Sequence, residues 1–167
     1  RADCAIIHGP AGTGKTFLAV EMAKRKAVIK NNKVALITYN LLLTDYLKLQ
    51  VMDYTNIDVF SISDHFEKIC DDYGLISESD RSDKSKFLNV ILPKLALKAL
   101  AIGPIQYDVI IVDEAQDYSA NYLLVVSQML KGNIAKGYVY FFGDFIYQGV
   151  YDTSVYQQEF LCYIQAM

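Results

Sequence analysis

Residues 9 to 16 read GPAGTGKT, a G-x-x-x-x-G-K-[ST] pattern set directly after the apolar run CAIIH and directly before a segment with helical periodicity. Each residue type has a chemical reason. Glycines at 9, 12 and 14 let the backbone take positive φ and approach oxygen atoms closely, so that successive amides can point at phosphates. The start of the following helix adds partial positive charge and unpaired amides. Lys15 can reach β and γ phosphates, and the Thr16 hydroxyl can hold Mg²⁺. Gly9, Pro10, Ala11, Gly12, Thr13, Gly14, Lys15 and Thr16 are thus the expected cradle for a nucleoside triphosphate. The structural alternative is a tight glycine turn.

A second group follows the most hydrophobic run of the chain, in YDVIIVDEAQD at 107 to 117, where Asp113 and Glu114 stand at the expected end of a buried parallel strand. Ligands of open α/β sheets bind beyond the carboxyl ends of the strands, which would direct these acids and the glycine loop into one crevice. Asp113 fits a direct or outer Mg²⁺ ligand beside Thr16. Glu114 fits the group that orients and deprotonates an attacking water. The alternative is a helix N-terminus decorated with acids, which the helix dipole favours.

Short apolar runs alternating with longer helical patterns predict the elements that must position these groups: an α/β domain with a mostly parallel sheet flanked by helices. Strands are expected at Cys4 to His8, Lys33 to Tyr39, Ile57 to Ser61, Tyr107 to Val112 and Tyr138 to Phe142. Helices are expected over Lys15 to Lys30, from Asn40 or Thr44 to Gln50, and from a Ser63 cap to a stop at Gly74. Gly74 to Asp83 reads as a surface loop. Lys84 to Ala101 reads as a helical stretch that Pro93 splits in two, and Val155 to Met167 as a last helix.

Length and composition are consistent with this. The 167 residues suit a single domain, and 53% hydrophobic with 21% charged residues exclude a disordered chain. No apolar stretch approaches the roughly 20 residues of a membrane span, and no export signal opens the sequence, so a cytoplasmic location without membrane contact is expected. The net charge of −3 argues against a generally basic nucleic-acid coat. Residues 1–100 carry 14 basic and 12 acidic side chains, whereas residues 101–167 carry 2 and 7, which concentrates carboxylates where a metal is expected. The excess of positive charge over residues 21–48, from Lys24, Arg25, Lys26, Lys30, Lys33 and Lys48, reads first as a solvated helix face. Cys4, Cys70 and Cys162 have no paired spacing and read as small buried hydrophobes. A start at Arg1, almost inside a strand, suggests a domain excised from a longer chain.

Four segments in order, GPAGTGKT at 9 to 16, ALITYNLLLTDYLK at 35 to 48, IIVDEAQD at 110 to 117 and FGDFIYQGVY at 142 to 151, resemble the UvrD/Rep-like superfamily 1 helicases, specifically their first RecA-like (1A-type) motor domain. The resemblance implies a P-loop NTPase fold over residues 1–167, with ATP and Mg²⁺ as ligands and single-stranded DNA, or RNA, as partner. It implies Lys15, Glu114 and Gln148 as catalytic residues, with Gln148 sensing the γ-phosphate and Gln116 coupling nucleotide state to the motor. Tyr39 and Asn40 become the expected DNA contacts, by stacking and by hydrogen bonding. Three residues separate Asp144 from Gln148 where the family has two, and VFSISDHF stands in place of its Thr-Phe-His element, so Ser61 or Ser63 would substitute and His65 is read as a helix residue. A second RecA-like domain would supply arginines, since Arg1, Arg25 and Arg81 are not placed for that role. The function so implied is the ATPase half of an ATP-dependent helicase or translocase. Its alternatives are a P-loop ATPase without unwinding that serves as a nucleotide-gated signalling or assembly module, and a non-hydrolysing interaction domain.

Overall fold

The computed structural model describes residues 3–132 and 137–145. Five runs rich in β-branched and aromatic residues form strands β1 (Asp3–His8), β2 (Val34–Thr38), β3 (Ile57–Ser61), β4 (Val109–Val112) and β5 (Tyr138–Gly143). They pair in parallel in the order β1-β5-β4-β2-β3. A parallel sheet covered on both faces needs continuous rather than alternating apolar strands. The central strands supply them: VALIT in β2 and VIIV in β4 are buried at every position.

Helices α1 (Lys15–Val28), α2 (Leu41–Gln50), α3 (Ile62–Asp72), α4 (Lys84–Lys86), α5 (Leu92–Ile102) and α6 (Ala120–Gln128) follow the strands. α1 and α2 cover one face, where Ala19, Ala23 and Leu47 pack against Leu36, Ile111 and Phe142. The alanines let α1 lie close to the sheet. α3, α5 and α6 cover the other face, burying Phe66, Leu92 and Val126 against Ile37, Ile110 and Phe141. The outcome is the expected parallel sheet between two helical layers, with the carboxyl ends of β1, β5 and β4 side by side.

Several boundaries differ from the sequence reading, each for a local reason. α1 stops at Val28, and a 3₁₀ turn over Ile29–Asn31 places Lys30 and Asn31 at φ 57° and 53°. α2 begins after Asn40, whose side chain caps it, and α3 begins at Ile62 with Ser61 rather than Ser63 before it. The expected loop at 74–83 contains a 3₁₀ turn, Glu78–Ser82, closed by a reciprocal Ser77–Asp80 capping box. The helical stretch from Lys84 is not broken into two: it runs on to Ile102 and meets Pro93 through a wide π turn at Phe87–Ile91, and the Leu88 and Asn89 carbonyls accept from the side chains of Tyr122 and Asn121. β4 starts at Val109, because Tyr107 instead bridges to Leu130. α6 was absent from the sequence reading. Cys70 is buried as expected, but Cys4 is exposed, because β1 is an edge strand. Arg1, Gln148, Cys162 and the helix expected over Val155 to Met167 lie outside the described residues.

Candidate active site

The strand-to-helix turn after β1 brings the glycine loop over the carboxyl end of the sheet. Gly12 and Gly14 have φ of 79° and 81°, a left-handed conformation that side chains rarely take. Gly14 is also the residue before α1, so the loop delivers its last amides into the helix N-terminus. The loop is closed on itself. Thr13 Oγ1 donates to the Pro10 carbonyl at 2.8 Å, and the Lys15 ammonium donates to the Gly9 and Pro10 carbonyls at 2.8 and 2.9 Å. Lys15 is buried, so its charge is turned inward across the loop where an anion would sit. At the base of the loop, the Gly9 amide donates to the Gly143 carbonyl at 3.3 Å, joining it to the tip of β5.

The acidic group meets it directly. Thr16 Oγ1 donates to Asp113 Oδ2 at 2.7 Å, across 97 residues of sequence. Asp113 has no exposure, and its Oδ1 has no hydrogen-bond partner among the described residues. Burial pushes the Asp113 carboxyl above the usual carboxylate range; the Thr16 hydrogen bond opposes this and the Glu114 charge adds to it. A buried, incompletely paired carboxylate oxygen beside a threonine hydroxyl is a hard oxygen donor set, and it fits Mg²⁺ with its usual retained waters. Glu114 sits next in a left-handed turn, φ 51° and ψ 45°. Its Oε2 accepts from Gln116 Nε2 at 2.7 Å, and Gln116 Oε1 accepts the Asp144 amide at 3.0 Å. Asp117, pushed up to about 6 by burial and then by the Glu114 charge, completes an acidic rim.

Tyr39, beyond the end of β2, is 55% exposed and meets Tyr118 edge-on at 5.7 Å. It is therefore not a core aromatic. Asn40 is committed in part, since its Oδ1 accepts the Leu42 amide at 2.9 Å as the α2 cap. Ser61 is buried and within 3.3 Å of the Ser63 hydroxyl, and His65 in α3 stacks on Phe60 at 4.0 Å. The basic residues at 21–48 do not join the site. Lys24 pairs with Glu21, Lys48 with Asp45 and Lys33 with Asp58, while Lys26 lies over Tyr138. Lys33 also precedes β2, at the end of the sheet opposite the loop. Three participants were missed in the sequence. They are Gly143, His8, whose Nδ1 accepts the Phe145 amide at 3.3 Å, and Tyr118 beneath Tyr39. Only the FGD run at 142–144 offered a signal, and it was read for Gln148 instead.

Among the described residues no helix is long and apolar enough to cross a membrane. No curated protein matches the chain. A family described as AAA domain matches residues 1–136, which contain the glycine loop, Asp113 and Glu114. With this match and the parallel sheet, the fold is that of a RecA-like P-loop NTPase, and the chain belongs to the AAA-domain family of P-loop ATPases.

Proposed function

We propose that the domain binds and hydrolyses ATP as the first motor half of a translocase acting on single-stranded DNA. Residues 9–16 hold the triphosphate through loop amides and the Lys15 ammonium, which gives up its carbonyl partners for phosphate oxygens. Thr16 and Asp113 would hold Mg²⁺, which would supply positive charge to offset what develops on the phosphates. Glu114 orients water and accepts its proton. Gln116 fixes the carboxylate that does so, and Gln148 is assigned the γ-phosphate.

What supports a nucleic-acid partner is the position of Tyr39. An exposed aromatic ring stands at the same carboxyl end of the sheet as the loop and leans on Tyr118, which follows Asp117 directly. A base stacked there would press on the segment that carries Glu114. Stacking of this kind contributes about 1–3 kcal/mol per base. The test is anisotropy of a labelled oligothymidylate with the wild type and Tyr39→Ala. Affinity is expected to fall about fivefold or more in the variant and to differ between the nucleotide-free and ATP·Mg²⁺ states. Equal affinities in both comparisons would reject the motor reading and leave a nucleotide-gated module.

A further inference from the structure

Gln116 spans two strand ends with one amide group. Its Nε2 holds Glu114 at the end of β4, and its Oε1 holds the Asp144 amide just past β5, the strand between β4 and β1. The space for this bridge is bounded by Gly143. A methyl group at that position would come within 2.4 Å of Gln116 Oε1 and 3.0 Å of Phe145 Cζ. Gly143 lies in a strand and is not among the positive-φ residues, so its backbone conformation does not require glycine. The neighbouring amide does.

We propose that residue 143 is glycine so that Gln116 can tie Glu114 to the tip of β5, which makes Gln116 and Gly143 positioning residues for hydrolysis. This rests on the reading of Glu114 as the base. With Oε2 occupied by Gln116, the other carboxylate oxygen, Oε1, takes the proton of water. The tie also helps hold Glu114 in its left-handed turn, a strained conformation that persists only where the surroundings enforce it. Because Gly143 also accepts the Gly9 amide, one residue couples the base of the phosphate loop, the tip of β5 and the general base.

The test compares wild type, Gln116→Ala, Gly143→Ala and the double variant. ATP·Mg²⁺ affinity is expected to change less than about twofold in all of them, while the single-turnover hydrolysis rate falls about tenfold in each single variant. The double variant should be no slower than Gln116→Ala, because the added methyl slows hydrolysis by displacing the Gln116 amide, which that variant has already lost. An additive loss in the double variant, or a wild-type rate in either single one, overturns the proposal. A second readout needs no turnover. The side-chain amide resonances of Gln116 should move to the position of a solvent-exposed amide in Gly143→Ala, and unchanged resonances overturn the tie. Glu114→Gln separates the two levels. A tenfold loss there with an unaltered Gly143→Ala overturns the tie alone, whereas a wild-type rate in Glu114→Gln overturns the reading of the base itself.

Discussion

Asp113 is the residue at which stability and chemistry are opposed. Its carboxyl is raised by burial, so the folded state binds the proton more tightly than the unfolded chain, in which an aspartate titrates near about 3.9. That contribution is complete below the unfolded value and is lost as pH rises through the folded one. Asp113→Asn keeps an acceptor for Thr16 and removes the buried charge. It is expected to raise Tm at pH 7.5 by about 3 °C or more, and to weaken Mg²⁺-dependent ATP binding about tenfold or more. Thermal melts and titrations with and without Mg²⁺ check both. Asp117 gives a narrower version of the argument, because its carboxyl is pushed up to about 6. Asp117→Asn should leave Tm unchanged near pH 4 and raise it above pH 6; a gain that is independent of pH would contradict the assignment of its cause.

At the scale of elements, the capping of α2 is the sharpest case. Asn40 is expected both as a start of this helix and as a nucleic-acid contact, and its Oδ1 holds the first turn. Asn40→Ala should therefore cost about 1 kcal/mol of stability while Asn40→Asp retains most of it, measured by denaturant unfolding. A loss of DNA affinity without loss of stability in Asn40→Ala would place the contact role first. The strands and α1 were legible because continuous Val and Ile runs and a glycine loop bounded them on both sides. α6 was not legible. Its apolar positions, Tyr122, Leu123, Val125 and Val126, are β-branched or aromatic at three of the four sites, which weakens the helical signal, and tertiary packing against α5 decides the matter. The site shows the same division. The spacing of GPAGTGKT and DEAQ identified the residues that meet, but Gly143 became visible only as a neighbour of Gln116, because a steric allowance leaves no mark in spacing.

For the whole molecule, the site as far as the described residues show it lies along the carboxyl end of the sheet, and Arg25 and Arg81 do not. Arg25 is on the last turn of α1, at the opposite edge, and Arg81 is held by Glu67 and Asp71 over the Phe87 ring. An arginine at the transition state is worth about 10³–10⁵ in turnover. Hydrolysis by this chain is accordingly expected far below one per second; steady-state turnover at about ten per second would mean that the charge is stabilised by another group. Lys15, Thr16 and Asp113 are proposed to serve one magnesium-bound triphosphate. Equilibrium ATP binding by the wild type and by Lys15→Ala, each with Mg²⁺ and with chelator, tests it most directly. Tight binding is expected only in the wild type with Mg²⁺, with a loss of about tenfold or more in the other three conditions. Equal affinity in all four would contradict it.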